Sequence, residues 1–159
     1  MPTLNLDHVV IPVWDAAASL DFYAGALGLP LTASITGDDW GGRPWLMMIF
    51  ALEGGRELVL VSLRGASRPP PDGLPADTRH YAFSVATRAE QDGWRARLAA
   101  AGVEAWEEDH GDQRSIYFSD PNGVVFEITT PASAAQAIPD PTALQRARDW
   151  IAGSLALTL

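Results

Sequence analysis

The sequence contains the same arrangement of elements twice, and this internal repeat limits the fold more than any other feature of the chain. In both copies a histidine on a predicted strand lies seven residues before a residue that caps a helix: His8 before Asp15, and His80 before Thr87. Thr87 also forms a capping box with Glu90. Each helix is followed by three candidate strands. Repeats of this length are supersecondary units that bury their apolar faces against one another.

Periodicity places the two units at residues 4–63 and 79–130, joined by a proline-rich linker at 64–78. Gly28 and Gly102 end the two helices at positions that suit a left-handed C-terminal cap. Strand, helix and three strands, occurring twice, predict an α+β fold. We expect two βαβββ units that form a paired, cupped mixed sheet, with one more helix at the C-terminus.

The C-terminal part of the chain differs from the repeat. We place the domain boundary after residue 133 and expect a helical extension over 134–159. Asp140 and Pro141 are typical of a helix start. The extension carries an apolar stripe, which we expect to pack on the domain or on a partner subunit. Its members are Leu144, Ala147, Trp150 and Ile151.

Composition excludes several classes of function. The 20 acidic and 11 basic residues give a formal net charge of -9, which disfavours binding to nucleic acid. All the basic residues are arginines, so no lysine can form a Schiff base. No cysteine is present, which excludes thiolate metal sites and thiol nucleophiles. Because we find neither an export signal nor a membrane span in the sequence, we expect a cytoplasmic protein.

Three polar residues lie on predicted strands between apolar neighbours: His8, His80 and Glu127. An unpaired carboxylate is costly to bury, and a bound metal ion removes that cost. Two imidazoles and one carboxylate can hold a divalent first-row metal on one side and leave positions open for a substrate. A single strand histidine is more often a structural residue, but two at equivalent positions of a repeat can face one cavity. We therefore predict a metal site.

Three segments resemble the vicinal oxygen chelate superfamily: LDHVVIPVWDAAASLDFYAGALGLPL, RHYAFSV and RSIYFSDPNGVVFEITTP. That superfamily includes glyoxalase I, extradiol ring-cleaving dioxygenases, fosfomycin-modifying thiol transferases and bleomycin-binding resistance proteins. The resemblance covers about residues 4–131. It implies metal ligands at His8, His80 and Glu127, and a divalent ion that could be Fe, Mn, Zn or Ni.

The fourth acidic ligand of glyoxalase I has no clear equivalent in this chain. Its expected position falls on Val59, and Glu57 would reach the site only after a shift of two residues. A site with three ligands is instead what the resemblance implies for a ring-cleaving dioxygenase or a fosfomycin enzyme. This difference argues against the isomerisation that glyoxalase I performs.

The resemblance also suggests catalytic residues. It implies that the hydroxyl of Tyr117 contacts bound substrate, although Tyr117 could equally pack on the rim of the sheet. His110 is the candidate for the additional histidine of ring-cleaving dioxygenases, and the alternative is a solvated loop residue. Arg114 is the one cation near the site that could bind a phosphonate.

Aromatic and apolar residues of the first unit could line a substrate pocket. Strand alternation puts Trp45 on one face of its strand, and Met48 and Phe50 on the other. One face should line the cavity and the other should pack under a helix, which the sequence leaves open. The candidate substrate-binding residues are Trp14, Trp45, Met48, Phe50 and Arg114.

Two functions follow from these residues. The first is a metal-dependent enzyme of the glyoxalase or dioxygenase type, acting on a small substrate with vicinal oxygens. The second is a metal-free protein that sequesters an aromatic drug, as bleomycin-binding proteins do; the acidic surface and the six tryptophans favour it. In both cases the partner is a small molecule, and the resemblance implies a homodimer.

Overall fold

A computed structural model describes residues 4–111, 113–130 and 140–153. It contains two four-stranded mixed sheets, as the repeat predicts. The first sheet has the order β1-β4-β3-β2 and is formed by β1 (His8–Pro12), β2 (Leu31–Gly37), β3 (Trp45–Ala51) and β4 (Glu57–Leu63). The second has the order β5-β8-β7-β6 and is formed by β5 (His80–Ser84), β6 (Ala105–Asp109), β7 (Arg114–Ser119) and β8 (Val125–Thr130).

In each unit a helical segment directly follows the first strand. In the first unit α1 (Ala16–Leu20) continues directly into a π-helical segment, Asp21–Ala26. In the second unit α2 (Arg88–Ala100) is a regular α-helix that begins with the capping box at Thr87. The glycines that follow the two helices both have positive φ, 65° and 70°, as left-handed caps require.

One hydrophobic core joins the two units. It takes side chains from one face of each sheet and from the helices, so the two units bury their apolar surface together. Its members are Ile11, Val13, Phe22, Tyr23, Leu27, Met48, Phe50, Leu58, Leu60, Leu98, Ile116, Phe118, Phe126 and Ile128. Burial of this apolar area is the main stabilising contribution to a fold of this size.

The opposite faces of the sheets, which we call the outer faces, carry the predicted metal ligands. Strand pairing places His8 level with Glu57, and Val10 level with Val59, on the first outer face. It places Glu127 level with Tyr117 on the second. Because side chains alternate along a strand, these residues share the face that is turned away from the core.

A tight turn between β7 and β8 connects the second unit to the helix of the first. The Asn122 side chain accepts hydrogen bonds from the backbone N–H groups of Trp14 (2.8 Å) and Asp15 (3.3 Å). The buried carboxylate of Asp120 accepts one from the Tyr23 hydroxyl at 2.9 Å. Burial and the neighbouring Asp120 raise the pKa of Tyr23, so its hydroxyl remains a donor at alkaline pH. Buried polar groups thus connect the two units.

The C-terminal helix α3 (Ala143–Ile151) lies within the predicted extension. Its apolar side chains are exposed rather than packed on the domain: Leu144 is 63% exposed, Trp150 70% and Ile151 77%. The domain boundary at 133, and residues 134–139 and 154–159 of the predicted extension, lie outside the described residues. Within the described ranges, no helix has the length and apolar character needed to cross a membrane.

Candidate metal centre

Two of the three predicted ligands lie side by side on the second outer face. Glu127 is on β8 and only 8% exposed, and His80 is on the neighbouring strand β5. The His80 Nε2 atom lies 3.0 Å from Glu127 Oε2. The other ring nitrogen, Nδ1, lies 2.7 Å from the carbonyl oxygen of Asp77. A carbonyl can only accept, so Nδ1 donates, and a neutral ring then presents the lone pair of Nε2 to the carboxylate.

Two lone pairs facing each other at this distance require a positive charge between them. Either a proton on Nε2 or a metal ion can supply it. The 3.0 Å separation is compatible with two ligand bonds of about 2.0–2.2 Å to one ion. A carbonyl that fixes the outer nitrogen of a histidine is also typical of metal-binding histidines. The donor set at His80 and Glu127 therefore fits a divalent metal.

Aromatic and titratable side chains surround this ligand pair. The ring of Tyr117 lies 5.6 Å from that of His80 in an edge-to-face arrangement, and stacks on Trp106 at 5.4 Å. The Tyr117 hydroxyl lies 3.3 Å from Nε2 of His110. That nitrogen is also 3.8 Å from a carboxylate oxygen of Glu108. The structure thus brings the two predicted catalytic residues together beside the ligand pair.

Tyr117 retains its proton more strongly than a free tyrosine. Burial raises the pKa of its hydroxyl, and the negative charges of Glu127 and Glu108 raise it further. At neutral pH the hydroxyl is therefore a hydrogen-bond donor, as a group that contacts a substrate oxygen would be.

The third predicted ligand lies on the other sheet. His8 is on β1, and its Nδ1 atom lies 2.8 Å from a carboxylate oxygen of Asp7. Since the carboxylate accepts, Nε2 again carries the lone pair of the neutral ring. Within the part of the chain that the structure describes, no three histidine or acidic residues lie close enough to hold one metal ion. One chain alone does not bring His8 to His80 and Glu127.

Strand pairing separates the predicted pocket residues. Met48 and Phe50 belong to the core, with 2% and 0% exposure, and lie on the face opposite His8. Trp45 is on the outer face, but its partner on β4 is Leu63. Leu63 is six residues along β4 from Glu57, the partner of His8. At about 3.3 Å per residue this is about 20 Å. Met48 and Phe50 are therefore not part of the site.

Two other predicted substrate-binding residues lie in different surroundings. Arg114 has the opposite orientation to Tyr117, because the two are three residues apart on one strand. Its guanidinium forms an ion pair with Glu107 rather than facing the ligand pair. Trp14 follows β1, and its backbone is held by the turn at Asn122. Arg114, the one cation that the sequence analysis placed near the site, therefore faces away from the ligand pair.

Sequence reasoning missed two neighbours of the ligand pair. The Ser115 hydroxyl donates a hydrogen bond to Glu127 Oε1, and both side chains are buried. Trp106 stacks on Tyr117 from the edge strand β6. Ser115 could have been found from the sequence, because it lies two residues before Tyr117 and so shares its face. The position of Trp106 beside Tyr117 could be found only from the pairing register of β6 and β7.

Comparison with protein families identifies most of the chain. The sequence model of the "Glyoxalase/Bleomycin resistance protein/Dioxygenase superfamily" matches residues 5–128. Glutathione transferase FosA from Serratia marcescens is 29% identical over 132 residues, which are 83% of this chain and 84% of that protein.

Solved structures share the fold. The glyoxylase/bleomycin resistance protein/dioxygenase domain from Frankia sp. is 23% identical, with a TM-score of 0.63 over 80% of this chain and 98% of that chain. The fosfomycin resistance protein FosX from Listeria monocytogenes, solved as a point mutant with Mn(II) and dihydroxypropylphosphonic acid, is 22% identical. Its TM-score is 0.61 over 82% of this chain and 95% of that chain. Oxidase ChaP-H2 is 27% identical, with a TM-score of 0.56 over 86% of this chain and 100% of that chain.

Proposed function

Because the chain belongs to the glyoxalase/bleomycin resistance protein/dioxygenase superfamily, we propose that it is a metal-dependent enzyme acting on a small substrate with two adjacent oxygens. The observation that carries this proposal is the pairing of His80 Nε2 with Glu127 Oε2 at 3.0 Å, with each group oriented by a second contact. A divalent ion bound there supplies a Lewis acid that holds neighbouring oxygens and stabilises negative charge on them.

A second copy of the chain supplies the third ligand in this proposal. His8 is exposed on the first outer face, whereas His80 and Glu127 lie on the second. In a two-fold dimer, the first outer face of one chain lies against the second outer face of the other, and two equivalent sites result. His8 is suited to this role because its contact with Asp7 leaves Nε2 free to bind a metal.

Tyr117 and His110 act on the substrate in this proposal. The protonated Tyr117 hydroxyl lies beside the ligand pair and donates a hydrogen bond to a substrate oxygen. His110 accepts that hydroxyl's proton or orients it in this proposal, which its Nε2 atom supports by lying 3.3 Å from the hydroxyl. Glu108 is close enough to stabilise positive charge on the imidazole.

The charges of the outer faces favour an uncharged substrate. Among the described strand residues, neither outer face has an arginine, while Glu57, Glu108 and Glu127 all lie on these faces. A phosphonate dianion would therefore meet repulsion, with no arginine among the described strand residues of these faces to balance it. The relative FosA suggests thiol transfer to such a substrate as a second candidate function, and we rank it below ring cleavage or a lyase or isomerase reaction for this reason.

Metal binding by histidine variants tests the proposal. The chain has three histidines, so a matched series is possible. We expect His80→Ala and His8→Ala to lower metal affinity at least about 100-fold, because loss of outer contacts to a ligand alone typically costs about 10–100-fold. His110→Ala should bind metal like the wild type. Isothermal titration with Mn(II) or Zn(II) measures this, and full binding by His80→Ala would overturn the assignment.

Mixing two inactive variants tests the shared site. A His8→Ala chain retains His80 and Glu127, and a Glu127→Ala chain retains His8. Random exchange should restore about one quarter of the wild-type sites, because half of the dimers are mixed and each mixed dimer has one intact site of two. Metal content after mixing and gel filtration measures this. If no sites return, His8 of a second chain is not the third ligand.

A further inference from the structure

Ser115 contacts the oxygen of Glu127 that does not face His80. The hydroxyl donates to Oε1, while Oε2 is the oxygen 3.0 Å from the histidine ring. Ser115 is completely buried, so water does not compete for this contact. The two oxygens of the carboxylate therefore have different partners.

The backbone around Ser115 is fixed from the core side. The buried amide of Gln91, on α2, donates to the carbonyl oxygens of Arg114 (2.7 Å) and Ile128 (2.9 Å). These carbonyls lie next to Ser115 on β7 and next to Glu127 on β8. A single side chain thus holds both strands at the level where the serine meets the carboxylate, which limits how far either can move.

The first unit has no such hydroxyl. Strand register makes Val59 the equivalent of Glu127, because each lies two residues beyond the partner of its unit's histidine. By the same register Met47 is the equivalent of Ser115. The unit with valine in place of Glu127 therefore also has methionine in place of Ser115. The hydroxyl occurs together with this carboxylate and is not a general feature of the sheet.

We propose that Ser115 is a positioning residue, which occupies Oε1 of Glu127 so that Oε2 alone binds the metal. This inference rests on the proposed metal site. With the serine bond present, the carboxylate plane is fixed and Oε2 is the oxygen that would bind an ion beside His80. Without it, the carboxylate can rotate and bind through both oxygens or through either one.

Variants of Ser115 separate positioning from space filling. Ser115→Ala removes the hydroxyl, and we expect Mn(II) affinity to fall about 10–100-fold. The absorption spectrum of the Co(II)-loaded protein should change as well, since it reports the coordination of the ion. Ser119→Ala is the matched control, because Ser119 is on the same strand and face but is exposed. It should keep the wild-type affinity and spectrum.

A second pair of variants keeps the test valid if Ser115→Ala does not fold. Ser115→Thr and Ser115→Val have the same shape, and only threonine has the hydroxyl. We expect the threonine variant to keep the Co(II) spectrum and most of the Mn(II) affinity, and the valine variant to lose both. Circular dichroism of the metal-free proteins shows which variants are folded.

Two results would overturn the inference. If folded Ser115→Ala, or folded Ser115→Val, has wild-type affinity and an unchanged Co(II) spectrum, Ser115 does not position the ligand, while the metal site itself stands. If the wild-type protein binds no divalent ion, the proposed function fails and this inference fails with it. The two failures are distinguishable because only the second appears in the wild-type titration.

Discussion

The two βαβββ units have the same frame but a different chemistry on their outer faces. At four outer-face positions near the histidine, the second unit has polar side chains where the first unit has apolar ones. By strand register, Glu127, Tyr117, Ser115 and Thr129 correspond to Val59, Ile49, Met47 and Val61. Of the three predicted ligands, the two histidines are equivalent to each other, whereas Glu127 has a valine at its equivalent position. Duplication thus preserved the sheet, while the groups that bind and react were concentrated in one copy.

The helices of the two units also differ in what they support. The α2 helix of the second unit is regular and begins with a capping box, and its Gln91 supports the strands of the candidate site. The α1 helix is shorter and continues as a π-helical segment that carries Phe22 and Tyr23 into the core. The helix of the second unit therefore supports the strands of the candidate site, whereas the helix of the first contributes more side chains to the shared core.

Removal of one carboxylate from each unit is expected to give the largest difference. Glu127→Ala should lower Mn(II) affinity at least about 100-fold, because a ligand is lost. Glu57→Ala should change it less than about twofold, although Glu57 lies level with His8 on the first outer face. Isothermal titration measures both. Equal losses would show that Glu57 is a fourth ligand and that both units bind the ion with carboxylates.

Transfer of the carboxylate to the first unit should destabilise the fold. Val59 is buried, so Val59→Glu places a charge in apolar surroundings. We expect a loss of about 3 kcal/mol in the free energy of unfolding. Urea denaturation in the presence of a chelator measures it. Val59→Gln has the same size without the charge and should cost clearly less at neutral pH. If the two variants are equally stable, the first outer face tolerates charge, and the contrast between the units is weaker than the structure indicates.

Exchange of a hydroxyl between the units should have the smallest effect. Among the described residues, Thr129 Oγ1 is a buried oxygen without a hydrogen-bond partner, and Val61 is its apolar equivalent. Thr129→Val should therefore raise the free energy of unfolding by about 1 kcal/mol, and Val61→Thr should lower it by a similar amount. Thermal or urea denaturation of the metal-free proteins measures both. Destabilisation by Thr129→Val would mean that the threonine hydroxyl has a partner in solution.

The fold could be predicted from the sequence because local signals repeat. Apolar periodicity, the caps at Asp15 and Thr87, and the helix-ending Gly28 and Gly102 occur in the same order in both units. These signals are local in sequence, so one chain is enough to detect them. The shared core was not visible in this way, because it depends on which faces of two distant sheets meet.

The candidate site could be predicted only in part. His80 and Glu127 meet as expected, since both lie on strands of one unit. Whether His8 joins them in one chain depends on how the two sheets are arranged, and no local signal in the sequence carries that information. The position of Arg114 could have been corrected from alternation alone, because a residue three positions from Tyr117 on a strand faces the other way.

Met48 and Phe50 show a different limit. Alternation separated them correctly from Trp45, but which set faces the core depends on pairing between β3 and β4, and this register is not encoded within one strand.

The turn at Asp120–Gly123 has a consequence for the history of the molecule. Asn122 of the second unit accepts hydrogen bonds from the backbone N–H groups at the start of the helix of the first unit. A gene reduced to its first half would leave those donors without this acceptor, and a gene reduced to its second half would leave the Asn122 amide oxygen without these donors. Each unit therefore satisfies polar backbone or side-chain groups of the other, in addition to sharing its core.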